Sequence, residues 1–210
     1  MRTINLVLKR LMDIFGSLIG IILLLPVLII VALAIKIDSK GPVFFRQERL
    51  GKNGKVFKIV KFRTMIENAE SVGTGVFTSN SDNRVTKFGK ILRGASLDEL
   101  PQLFNILLGS MSIVGPRPPV IYHPYLYENY PEKYKDRFSM KPGVTGYAQV
   151  IGRNTLTWEE RFDYDLIYIH KFNLLFDFKI IFKTFMVFNN KKEIFDTENK
   201  RERKDSNVKR

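Results

Sequence analysis

An adjacent pair of carboxylates, Asp98-Glu99, stands in the run Ser96-Leu97-Asp98-Glu99-Leu100-Pro101-Gln102-Leu103-Phe104-Asn105. Leu100, Leu103, Phe104 and Leu107 follow at helical spacing, and Pro101 is tolerated in a first turn, so a helix should begin at or just before Asp98. Two readings fit that position. Ser96 with Glu99 forms a capping-box pattern and Asp98 is itself a good cap, which makes the pair ordinary helix punctuation. The alternative is a carboxylate pair at the positive end of a helix, where the dipole keeps Asp98 ionised as a nucleophile or metal ligand. Isolated cations stand around it: Arg93, Arg117 between Pro116 and Pro118, and Arg153 between Gly152 and Asn154. Flanking prolines restrict the Arg117 backbone and help aim its guanidinium. Lys61 and Arg63 are two apart in a predicted strand, hence on one face, either a solvated basic face or a phosphate clamp. Several cations near a carboxylate pair suit a diphosphate substrate with a divalent metal.

Other chemistries are poorly supplied. The 210 residues contain no cysteine, which removes disulfides, iron–sulfur clusters and thiol catalysis. The two histidines, His123 and His170, lack zinc-ligand spacing. Asp163-Tyr164-Asp165 has the Asp-x-Asp form that many glycosyltransferases use to hold a metal. Inside a predicted helix, however, residues two apart point about 200° apart and do not readily share one ion. No P-loop or Rossmann glycine fingerprint is present. The net charge of +13 calls for a negative partner: an anionic bilayer, a phosphorylated substrate or nucleic acid. Nucleic acid is the weakest of these, because no nucleic-acid-binding motif accompanies the charge.

The elements that must position these groups begin with a membrane segment. Ile14–Ile35 is 22 residues without a charge, about 33 Å as a helix, enough to cross a hydrocarbon core. Basic residues flank both ends, Arg2, Lys9 and Arg10 before and Lys36, Lys40, Arg46, Arg49 and Lys52 after, which opposes a simple span. Pro26 near the middle removes an amide donor and predicts a kink. A bent, re-entrant helix with both ends on one side satisfies both observations, and it places Asp13 at headgroup depth beside Arg10. Gly41-Pro42 then opens a compact unit. Val43–Arg49 and Lys55–Met65 read as a β-hairpin around Gly51-Lys52-Asn53-Gly54.

Residues 67–83 read as a mobile loop, and residues 84–108 as two short helices broken near Gly94. A Tyr-rich helical region follows the Pro-rich loop at 115–119. Another helix is expected from Thr157, where Thr157 and Glu160 form a capping box. Leu174–Phe188, too short to span at 15 residues, suits an interfacial helix with Asp177, Lys179 and Lys183 opposite Phe178, Ile181, Phe182 and Phe185. An ordinary core helix fits that segment equally well.

Ordered blocks along residues 1 to about 188 resemble one family, the bacterial sugar transferases, and among them the small monotopic phosphoglycosyl transferases. The blocks are Lys9-Arg10-x-x-Asp13, Gly41-Pro42-Val43-Phe44-Phe45-x-Gln47, Lys61-Phe62-Arg63-Thr64-Met65, the Ser96–Asn105 run, Gly115-Pro116-Arg117-Pro118, Lys141-Pro142-Gly143-Val144-Thr145-Gly146 and Gly152-Arg153-Asn154, with Asp165 in its helix beyond them. The resemblance implies transfer of a sugar-1-phosphate from a UDP-sugar to a polyprenyl (undecaprenyl) phosphate, with Mg²⁺ and release of UMP, as the first membrane step of glycoconjugate or exopolysaccharide assembly. It implies Asp98 as nucleophile and metal contact with Glu99 assisting, and Lys61, Arg93, Arg117, Arg153 and Asp165 as substrate-binding positions. It also implies the bacterial inner membrane with the catalytic domain on its cytoplasmic face, and downstream glycosyltransferases as partners.

The expected fold is α+β and mostly helical. Residues 1–40 form the re-entrant anchor of a monotopic membrane protein, 41–188 a catalytic domain with a small β-hairpin and amphipathic interfacial helices, and 189–210 a charged, disordered tail. One departure stands out: the family usually has Ser before the kink proline, and here it is Leu25, which offers no hydroxyl to a freed carbonyl. A UDP-releasing glycosyltransferase and a non-catalytic basic membrane-surface module are the competing functions.

Overall fold

A computed structural model of the chain describes residues 2–69, 82–152 and 155–189. The expected tail beyond residue 189 and the middle of the expected loop at 67–83 lie outside them. The first helix, α1 (Arg2–Asp38), continues on both sides of Pro26, which lies on its outward side, so the predicted bend does not divide it into two helices. Its inward stripe runs Lys9, Asp13, Ser17, Leu28, Val31 and Ile35, with the partly buried Gly20 and Leu24 filling the three- and four-residue spacing. Small residues bring the helix close: a Cβ on Gly16 would meet the Ile113 Cδ1 at 2.8 Å, and one on Gly20 would meet Leu103 at 3.3 Å. The outward face is apolar and exposed, with Phe15, Ile19, Ile22, Leu23, Ile30 and Leu33. Among the described residues α1 is the one helix long and apolar enough to cross a membrane.

Strands β1 (Phe44–Leu50) and β2 (Val56–Phe62) pair antiparallel, Phe44 opposite Phe62 and Leu50 opposite Val56. The predicted turn is there, with Asn53 and Gly54 at φ 55° and 73°. Two helices, α2 (Lys87–Ala95) and α3 (Gln102–Leu108), follow with a single 3₁₀ turn, Leu97–Glu99, between them. The break expected near Gly94 falls at Ser96, which is left-handed, φ 56°, with its N–H donating to Arg93 O.

Strand β3 (Ser112–Val114) pairs in parallel with β4 (Gly143–Thr145). Between them the expected Tyr-rich helix is mostly turns, with a single short α4 (Glu132–Lys135). Its rings build an aromatic core instead, where Tyr130, Tyr134 and Phe138 pack with Leu50 and Phe162. Helix α5 (Tyr147–Ile151) leads to α6 (Trp158–Lys171), which starts with the predicted Thr157–Glu160 capping box, and to α7 (Leu174–Asn189).

Helix α7 corrects the sequence reading of its faces. Asp177 is fully buried, and Ile181 is partly buried on the inward side. Leu175, Phe178, Phe182, Phe185 and Met186 are exposed together with Lys179 and Lys183. Asp177 faces inward because a buried cation meets it: Lys9 Nζ lies 2.6 Å from Oδ2, and the Tyr168 hydroxyl donates to Oδ1 at 2.8 Å. Nor does Asp13 sit beside Arg10 at a headgroup. It accepts the Ser112 hydroxyl and the Ile113 N–H at 3.0 and 2.8 Å, while Arg10 caps the end of α3 through Ile106 O and Leu107 O. Three helices and a strand are thus tied by charges that water does not reach. Asp177→Leu leaves Lys9 buried without a partner, and its expected cost is ~3–5 kcal/mol. Urea unfolding in detergent micelles measures this, and Lys9→Met in the same chain should restore most of the loss.

Candidate active site

Lys61, at the end of β2, and Glu99, in the 3₁₀ turn, come together because α3 is docked onto the free edge of the strand. The Asn105 side chain makes that joint: Oδ1 accepts the Val60 N–H at 2.9 Å and Nδ2 donates to Lys58 O at 2.9 Å. Lys61 Nζ then reaches Glu99 Oε1 at 2.7 Å, and Arg117 Nη2 reaches the same oxygen at 3.1 Å. Burial by itself would raise the Glu99 carboxyl, but Arg117 and Lys61 outweigh it and hold the group well below the usual carboxylate range. Glu99 in turn holds the half-exposed Arg117 firmly charged.

Asp98 has a different environment from its neighbour. Its carboxylate has no hydrogen bond from a protein donor among the described residues. Burial pushes it above the ordinary value and Glu99 adds to this, while Lys61, Arg93 and Arg117 pull the other way. The helix dipole expected to favour the ionised form is small here, because the turn is a single 3₁₀ turn, and the neighbouring cations Lys61, Arg93 and Arg117 favour the charge against burial. The capping reading also fails, because the Ser96 side chain makes no cap and α3 starts at Gln102 behind Pro101. Arg93 is aimed by a close approach. A Cβ on Gly89 would lie 2.1 Å from Thr64 O, so α2 can rest backbone-to-backbone on the chain after β2, and Arg93 Nε donates to Thr64 Oγ1 at 2.9 Å.

Three other predicted positions fare differently. Arg63 does not share a clamp with Lys61. Strand β2 ends at Phe62, so the alternation stops there, and Arg63 turns away to donate to Ser39 O and Oγ at the end of α1. Asp165 does not face the substrate side. It is 2% exposed and takes Arg137 Nε and Nη2 at 3.0 and 2.6 Å. Arg153 lies outside the described residues.

Sequence reasoning missed Arg137, whose guanidinium lies over the Phe138 and Phe162 rings and whose Nη2 also donates to Arg117 O at 3.0 Å. Asp165 therefore acts from below, through Arg137, on the backbone that carries Arg117. Nothing in the sequence links Arg137 to Asp165, 28 positions away. Asp98 offers oxygens free of protein donors and could give a Mg²⁺ ion one ligand; among the described residues no cluster of three acidic or histidine groups could hold an ion by itself. Such an ion is completed by substrate phosphates and water.

The profile of one family, described as bacterial sugar transferase, matches residues 4–191. The chain belongs to that family. As a bacterial sugar transferase it is 48% identical over 188 residues to the UDP-glucose:undecaprenyl-phosphate glucose-1-phosphate transferase of Klebsiella pneumoniae, covering 86% of the chain and 40% of that relative. It is 45% identical to the exopolysaccharide production protein PSS of Rhizobium leguminosarum bv. phaseoli, covering 86% of the chain and 94% of the relative. It is 40% identical to the UDP-N-acetylgalactosamine-undecaprenyl-phosphate N-acetylgalactosaminephosphotransferase of Aeromonas hydrophila, covering 84% and 42%. The chain thus spans about 40% of the length of the Klebsiella relative and nearly all of the Rhizobium one.

In this bacterial sugar transferase the Asp-x-Asp pair separates into two unlike groups. Asp163 is exposed and Asp165 is buried on its ion pair, so the two carboxylates do not converge on one ion. Asp163→Asn should change stability by no more than ~0.5 kcal/mol. Asp165→Asn, which strands the Arg137 charge, should cost ~3–5 kcal/mol. Parallel urea titrations of the two variants check the contrast.

Proposed function

We propose that the chain moves a sugar-1-phosphate from a UDP-sugar to a polyprenyl phosphate in two displacements. The observation that carries this reading is the unequal carboxylate pair. Glu99 is consumed as the counter-ion that fixes Lys61 and Arg117, and Asp98 is left without a donor beside three cations. Environments that push two adjacent carboxylates apart give them separate roles. The names of the Klebsiella and Aeromonas relatives, both sugar-phosphate transferases acting on undecaprenyl phosphate, support the same substrates.

In the first displacement an Asp98 oxygen attacks the β-phosphorus. The bond from that phosphorus to the bridging oxygen breaks, and UMP leaves with the electron pair. In the second, an oxygen of the lipid phosphate attacks the same phosphorus, the bond to Asp98 breaks and the carboxylate is restored. Lys61, Arg93 and Arg117 stabilise the charge that develops on the phosphoryl oxygens, and Arg153 belongs to the same group by its sequence position. Asp98 would hold Mg²⁺, which when bound would supply charge neutralisation at the diphosphate. A two-step route lets nucleotide and lipid use the site in turn.

The lipid substrate fits a membrane position. The outward face of α1 and the exposed phenylalanines of α7 are apolar surfaces suited to lipid, the second lying in the interface. We place α1 as a re-entrant helix in the inner membrane, with Lys9, Arg10, Lys36 and Lys40 on the cytoplasmic side.

Two experiments test these readings. Asp98→Asn should abolish turnover, measured as UMP release, while the protein stays folded and membrane-bound. Wild-type chain given UDP-sugar and Mg²⁺ without lipid should gain the mass of a sugar phosphate. Near-normal turnover by the variant, or UDP in place of UMP, overturns the assignment. For topology, a single cysteine at Thr3 should resist an impermeant thiol reagent on intact cells, and labelling there would return α1 to a simple span.

A further inference from the structure

Lys141, just before β4, takes no part in the site described above, and its charge is unanswered. Its ammonium makes no hydrogen bond or ion pair among the described residues. Arg10 reaches the same place from α1. A Cβ on Gly109 would lie 3.2 Å from Arg10 Nη2 and 3.3 Å from Lys141 Nζ, so the two cations flank one point beyond the end of α3. Partial burial and the Arg10 charge lower the Lys141 pKa from the ordinary lysine value, with Lys52 adding to this and Asp13 opposing it. Asp13 itself is buried and turned to Ser112 and Ile113.

Helix capping accounts for only one of the two cations. Arg10 meets Ile106 O and Leu107 O, and Asn105 O is taken by the N–H groups of Gly109, Ser110 and Met111. Lys141 meets none of these carbonyls. Two like charges held around one point repel, and an anion bound between them turns the repulsion into attraction.

The surroundings narrow the choice of anion. Leu108, next to Gly109, is 83% exposed, and Leu11, next to Arg10, is exposed as well. Arg10 stands four residues before the uncharged run that starts at Ile14, about 6 Å along the helix. An anion between the cations is thereby bordered by apolar surface, at the depth where a lipid carries its phosphate. We propose that Arg10 and Lys141 clasp the phosphodiester of an anionic phospholipid at the C-terminal end of α3. This rests on the bilayer placement of α1 proposed above and is independent of the two displacements. The clasp joins α1, α3 and the approach to β4 at the end of α3 away from Asp98, so its lipid is a structural one rather than the substrate.

The test uses the full chain in phosphatidylcholine bilayers containing a little spin-labelled phosphatidylglycerol or, in parallel, spin-labelled phosphatidylcholine. The motionally restricted fraction of each label, read by electron paramagnetic resonance, gives the preference for the anionic lipid. Wild type should show that preference, and Lys141→Gln should lower it about fivefold, the effect of one basic residue at headgroup level. Lys141→Arg should keep it, and the urea midpoint of Lys141→Gln should match wild type, since no protein bond is lost. Arg10 is left in place because it caps α3. Lys179→Gln, which removes the same charge from the exposed side of α7, should leave most of the preference. Equal preference in wild type and Lys141→Gln overturns the clasp, and so does an equal loss in Lys179→Gln, which assigns the effect to general surface charge. Loss of the preference on adding millimolar inorganic phosphate at constant ionic strength makes a soluble phosphate the occupant and overturns the lipid. A wild type that restricts neither label overturns the placement of α1, and the clasp with it.

Discussion

The carboxamide of Asn105 takes the place of a third strand. A two-stranded hairpin leaves one edge of β2 with unpaired N–H and C=O groups, and a buried edge of that kind is costly. Asn105 presents one acceptor and one donor at the spacing of a backbone neighbour, to Val60 N and Lys58 O. Its own carbonyl accepts the N–H groups of Gly109, Ser110 and Met111, so the same residue closes α3. Through this single side chain the strand bearing Lys61 and the turn bearing Asp98 and Glu99 become one rigid piece. The distances at the site follow from it.

On that piece charge is distributed unevenly, and the unevenness is useful. One oxygen of Glu99 gathers both Lys61 and Arg117. The two cations are thereby held at fixed points without being used up, since each retains further donors for a phosphate. Beneath Arg117 a buried ion pair, Arg137 with Asp165, secures the backbone rather than the guanidinium. Buried pairs contribute little net stability compared with apolar packing, but they specify geometry when every donor is met. The aromatic rings of Phe138 and Phe162 enclose this pair on its other sides.

Local signals in the sequence carried over well, and long-range ones did not. Asn53-Gly54 announces the hairpin because Asn and Gly tolerate positive φ angles at little cost, a preference that needs no distant partner. Thr157 with Glu160 announced α6 because a capping box closes within four residues. The carboxylate pair and the cations Lys61, Arg93 and Arg117 were also legible, and they do converge. Serine carries no signal for a left-handed backbone, so capping stays open as one reading of Ser96 until the turn itself is seen. Asp177 looked like a surface residue because Lys9, the cation that permits its burial, lies 168 positions away. Asp165 enters the substrate-binding set through the family resemblance alone, and its pair with Arg137, 28 positions away, has no signal in the sequence.

Leu97 and Leu100 bracket the two carboxylates, and both pack against the cluster formed by Leu28, Val31 and Ile35 of α1 with Phe62 and Leu92. A close-packed interior passes displacement on rather than absorbing it. Sliding or tilting of α1 must therefore be felt at Leu97 and Leu100, on either side of Asp98. On the proposed placement of α1 in lipid, the thickness and lateral pressure of the bilayer become mechanical inputs to the setting of Asp98.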